Sequence, residues 1–181
     1  MQKVLARAFR ATILDGRVYR QIGDDPREMF TSLMIVVLSG AALGLGVRSV
    51  VVGTFEGSPT LLFVLVGISS RITGWFLWAG IVYILGTKIF GGKAGFRALL
   101  RGMGLAFAPG ILSAFAELPV VGFGLLIFSM FWIFAAGLLA IRETQQFGWL
   151  KALICNAIGW YPAVVGILIV MMPISGPPSL D

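Results

Sequence analysis

Five long stretches carry few charges, and they limit what this chain can fold into more than any other feature. They lie at about 30–52, 61–89, 96–116, 119–142 and 150–172. A helix needs about 20 predominantly apolar residues to cross the roughly 30 Å hydrocarbon core of a bilayer. Only a structure that satisfies its own backbone hydrogen bonds can do so. A soluble core does not explain such runs. Of the 181 residues 58% are hydrophobic and 12% charged, and mean hydropathy is +0.95, whereas a soluble domain keeps roughly a quarter of its residues charged. The expected fold is all-α: an integral membrane protein of five transmembrane helices.

Three regions follow: 1–28 as a cytoplasmic amphipathic segment, 29–173 as the five-span domain and 174–181 as a short polar tail. In the first region Lys3, Arg7, Arg10 and Arg17 share one face of a helical wheel, with Val4, Leu5, Ala8, Phe9, Thr12 and Ile13 opposite. That pattern suits a helix lying in the membrane interface with its arginines among anionic headgroups. It suits equally a helix packed on the protein's own cytoplasmic surface. Basic residues set the orientation. With the N-terminus cytoplasmic, twelve of the fourteen Lys and Arg fall on that side, and five spans put Asp181 outside. The net charge of +6 then reflects this asymmetry rather than nucleic-acid binding. A weak repeat at a shift of 54 residues, pairing Trp78 with Trp132 and Arg97 with Lys151, suggests that spans two and three are echoed by spans four and five.

The absence of histidine and the single cysteine, Cys155, exclude an intrachain disulfide, Cys–His zinc sites and Ser–His or Cys–His catalysis within one chain. No catalytic residue, metal or cofactor is expected, and the chain is read as non-enzymatic. One stretch imitates a phosphate-binding loop, "FGGKAGF" at 90–96. Counting from Gly86 places Gly91 correctly, but Gly92 stands where the lysine belongs, and Lys93, one place late, is followed by Ala94 instead of a hydroxyl, so the P-loop pattern G-x-x-x-x-G-K-[ST] fails twice.

The remaining candidates are positions the membrane makes costly or useful. A charge deep in a bilayer costs several kcal/mol unless paired, hydrated or able to snorkel. Arg71 therefore either snorkels to the outer interface or forms an intramembrane pair with Glu117. Lys88, Lys93, Arg97, Arg101 and Lys151 are candidate lipid-headgroup contacts, with plain interfacial anchoring as the alternative. Gly40 and Gly44 form a G-x-x-x-G face suited to close helix approach, within the monomer or in a homodimer. Asn156 is expected to bond a neighbouring helix, and Pro109 and Pro162 to kink spans three and five.

From Gly74 to Trp160 the order of features resembles the bacterial branch of the Yip (Ypt-interacting protein) domain family. The residues that carry it are "GWFLWAGIVYILGTKIFGGKAGFRALLRGMGLAFAPGIL", then "LPVVGFGLLIFSMFWIFAAGLLAIRET", then a closing apolar span, with "VYRQIGDDPREMFTSLMIVV" as the entry to span one. The resemblance implies a five-span bundle with a cytoplasmic N-terminus, in a bacterial cytoplasmic membrane. Eukaryotic relatives associate with Rab GTPases and with one another. This chain departs from them in having no long cytosolic N-terminal region and no "DLYGP" sequence, so a Rab-type partner is not expected. The expected function is a membrane scaffold or organiser acting through helix, lipid or protein contacts. Its expected partners are anionic lipids on the cytoplasmic side and a homo-oligomer or membrane-protein partner. A small transporter or channel is the alternative.

Overall fold

A computed structural model describes residues 2–51 and 59–171, with side chains described at 6–48, 59–162, 164 and 165. Seven α-helices follow in order: α1 Gln2–Thr12, α2 Gly16–Asp24, α3 Met29–Val51, α4 Thr60–Ile84, α5 Phe96–Leu105, α6 Gly122–Gln145 and α7 Trp149–Met171. Short 3-10 or π segments join some of them. Among the described residues four helical stretches are long and apolar enough to cross a membrane: 26–48, 60–89, 96–117 and 122–145. Helix α7 is also long, at 23 residues.

The N-terminal segment is two helices, not one. Leu14 adopts a left-handed backbone, φ 59, which stops α1, and the Asp15 carboxylate accepts the Arg17 N–H at 3.1 Å to start α2. Arg17 therefore does not continue the face formed by Arg7 and Arg10. The pair of helices packs into the main core through Ala11, Val18, Tyr19 and Ile22, all buried. Tyr19 donates its hydroxyl to the Ala11 carbonyl at 3.0 Å, closing the hairpin.

Helices α3 and α4 meet backbone to backbone. A Cβ on Gly40 would stand 2.6 Å from Ile68 Cα, and one on Gly44 or Gly67 would collide with main chain of the other helix. The expected G-x-x-x-G face is thus filled within the monomer. Lipid offers little hydrophobic drive between helices, so such close contact supplies the attraction instead.

Span three does not kink at Pro109; it unwinds before it. A proline cannot donate to the carbonyl four residues back and its ring clashes there. For Pro109 that carbonyl belongs to Leu105, the last residue of α5. The chain then turns and proceeds as a 3-10 helix over Ala108–Glu117. Its end also shifts the start of span four. Pro119 was expected in the first turn, but Leu118 is extended, Val120 has φ 71, and α6 begins at Gly122. The turn doubles back so tightly that a Cβ on Gly122 would strike the Ala116 backbone. Pro162 lies inside α7, which continues through it. Positions matched by the 54-residue repeat differ in environment: Leu99 is fully buried and Leu153 exposed.

Candidate functional site

Helix α4 turns one face inward at helical spacing, with Gly67, Ser70, Arg71, Gly74, Trp75, Trp78, Ala79 and Val82 all buried. Arg71 is 4% exposed. Its guanidinium lies over the Phe107 ring, 5.4 Å from the centroid, a cation–π arrangement. Neither its Nε nor its Nη2 has a hydrogen-bond partner, and the same holds for Ser70 Oγ and Trp78 Nε1. Their residues line one cavity, together with Gly74, Phe107, Trp160 and Val164. The volume open to water is about 10 Å³, room for about one molecule.

Trp78 is held in place from both sides. A Cβ on Gly137 of α6 would collide with its six-membered ring, and one on Gly159 of α7 would lie 2.6 Å from its Cδ1. Asn156, beside this slot, donates Nδ2 to the Phe134 carbonyl at 3.0 Å and so joins α7 to α6 as expected. Its Oδ1 is buried without a partner. Trp75, one turn along α4, donates Nε1 to the Leu100 carbonyl at 2.9 Å.

Arg71 neither snorkels nor pairs with Glu117. The helix begins at Thr60, so Arg71 sits about three turns inside it with its side chain directed to the core. Glu117 is exposed at the end of the 3-10 segment, and no ion pair joins the two among the described residues. Phe107 takes the place beside the guanidinium because α5 ends early and the chain turns there. Glu56 and Asp181 lie outside the described residues.

The five basic residues expected to contact headgroups do not form one cluster. Arg101 is 8% exposed. Its Nε donates to the carbonyls of Ile22 at 3.2 Å and Gly23 at 3.1 Å, and its Nη2 also donates to Gly23. It caps the C-terminal end of α2, where a cation suits both the orphan carbonyls and the helix dipole. Arg97, one turn earlier, is exposed and lines an open hollow of about 750 Å³ with Pro26, Met29, Phe96 and Arg101 itself, so these two arginines are brought together. Lys93 and Lys151 instead share a cleft of about 430 Å³ with Phe90, Gln146 and Phe147. There Lys151 Nζ donates to the Phe90 carbonyl at 3.4 Å. Lys88 is exposed and lines neither.

The stretch that imitated a phosphate loop receives a side chain from its own protein. Gln145, buried at the end of α6, accepts the Ala94 N–H at 3.1 Å. A Cβ on Gly92 would collide with Gln145 and Phe147, while Gly91 turns the chain at φ 71 and Gly92 N–H bonds the Gly86 carbonyl at 2.8 Å. Gly86 and Gly92 are there to admit Gln145. Nothing in their spacing alone signals this, because the partner lies over fifty residues away.

At the N-terminus the arginines meet carboxylates of the same chain. Arg7 pairs with Glu28, and Arg10 donates twice to Asp15, at 3.0 and 2.6 Å. That contact, with the Arg17 backbone bond, holds the Asp15 carboxyl below its ordinary pKa. The Lys3 side chain lies outside the described residues, and Arg17 is exposed. The outward apolar face is Phe9, 67% exposed, and Ile13; the packed face runs through Ala8 and Ala11. Glu143, which sequence reasoning passed over, accepts from both Arg20 and Arg142 at 2.8 Å and ties α2 to α6. Burial pushes the Tyr19 phenol well above its ordinary value.

A family model described as the Yip1 domain matches residues 12–172. No curated protein and no solved structure matches the chain.

Proposed function

The chain belongs to the Yip1 domain family and is an integral membrane protein, and on that premise we propose that it is a non-enzymatic membrane organiser. In this reading it spans the membrane five times, α7 being the fifth span, with the N-terminus cytoplasmic and the C-terminus outside. It acts through lateral helix contacts, lipid and protein partners in a bacterial cytoplasmic membrane. The observation that carries the reading is the filled interior. Helices touch at glycine backbones, and the cavity at Arg71 has room for only about one water, which is little space for a solute among the described residues. The outer surface, by contrast, offers broad apolar faces, including Phe123, Ile127, Phe128 and Phe131 along α6. Its cytoplasmic end offers Lys93 and Lys151 to anionic headgroups.

The alternative of a small transporter draws support from the unpartnered polar groups around Arg71. Purification in mild detergent with mass spectrometry of bound proteins and lipids separates the two readings. A stable partner or retained anionic lipid is expected for an organiser. A partner-free oligomer that moves solute across liposomes would sink it.

A further inference from the structure

We propose that the cavity at Arg71 is a binding site for one small monovalent anion such as chloride. Three residues that line the space carry four buried donor groups without a hydrogen-bond partner: Arg71 Nε and Nη2, the Ser70 hydroxyl and the Trp78 indole N–H. A guanidinium has five donors and accepts nothing, and an indole N–H can only donate. The chemistry of the wall therefore asks for negative charge rather than for another donor. A buried cation without a counter-charge is strongly disfavoured, and this one carries none among the described residues. The Phe107 ring supplies only its π face.

The dimensions restrict the occupant. Space for about one water-sized body rejects a phosphate ester or a bulky carboxylate and leaves at most a single-atom anion, chloride being somewhat larger than the water it would replace. Trp78 cannot retreat, because Gly137 and Gly159 close on its ring from both sides. The indole donor is thus held in position before any ion arrives, which lowers its share of the ordering cost of binding. One water would satisfy some of these donors but leave the charge of Arg71 uncompensated. The inference stands apart from the organiser reading, in which the ion serves as a structural counter-charge; its failure leaves that reading intact.

The test uses the full chain in detergent at constant ionic strength, exchanging sodium gluconate for sodium chloride or bromide. Chloride is expected to raise the thermal unfolding temperature along a saturating curve. Bromide is expected to quench part of the tryptophan emission, since Trp78 and Trp160 line the cavity, along a saturating curve that chloride reverses. Arg71→Gln is expected to abolish both responses. Ser70→Ala, which removes one donor and no charge, is expected to weaken them several-fold and serves where Arg71→Gln does not fold. Equal unfolding temperatures in chloride and gluconate overturn the proposal. So does purely linear bromide quenching, or a response unchanged in Ser70→Ala and Arg71→Gln.

Discussion

Replacing Arg101 with Gln should release α2 from the bundle while leaving the spans assembled. The side chain is nearly inaccessible and makes two charge-assisted contacts, one N–H shared between Ile22 and Gly23 and a second on Gly23. Hydrogen bonds to charged groups contribute about 1.5–3 kcal/mol each. Taking the low end for each gives about 3 kcal/mol, before counting the carbonyls left unsatisfied. At 1.4 kcal/mol per factor of ten, the local opening of α2 should become roughly a hundredfold more frequent. Hydrogen exchange of the amides in 16–24 reads this directly, with those of α6 as the internal control. Arg101→Lys should recover only part of the protection, because an ammonium does not reproduce the guanidinium fork. Arg97→Gln, one turn away but exposed, should leave α2 unchanged. Equal exchange in the wild type and Arg101→Gln would refute the capping role and return Arg101 to the headgroup cluster.

Three further outcomes follow from the packing. Gly44→Leu drives a side chain into the Phe63 backbone and should cost about 3 kcal/mol or more, seen as a lowered unfolding temperature in detergent. Gln145→Ala removes the acceptor for Ala94 N–H and should cost about 1 kcal/mol, with faster exchange confined to 90–95. Tyr19 is kept neutral by burial, so its folded pKa lies above the ordinary value of 10.0. The stability it contributes is complete below that pH and declines as pH rises past about 10. Near-UV circular dichroism should show this alkaline step in the wild type, and Tyr19→Phe should remove it.

The spans were legible because hydropathy and length are local properties. The first span was expected at about 30–52 and α3 runs 29–51; the second was expected to end at 89, where the π turn Leu85–Ile89 closes. Ends set by tertiary contact were not legible. Pro119 was a sound helix start on its own, but the doubled-back turn at Val120 moved it to Gly122. The basic residues misled for a related reason. Arg97 and Arg101 share a helix face by spacing, yet only Arg101 lies beneath α2, and α2 itself was hidden inside a single predicted helix. Arg71 was recognised as unusual, since a charge in an apolar run is visible in one dimension. Its neighbours were not, because Trp78, Phe107 and Trp160 come together only after the chain turns at Leu105.

The 3-10 segment after that turn has a consequence for how the bundle meets the bilayer. Such a helix rises about 2.0 Å per residue, against 1.5 Å in an α-helix. Its ten residues therefore extend about 20 Å, where an α-helix of the same length would extend about 15 Å. Span three can reach across with 22 residues while its neighbour uses 30. Thickness is matched here through helical pitch as well as residue number, so a proline placed near the middle of an apolar run lengthens the segment rather than merely bending it.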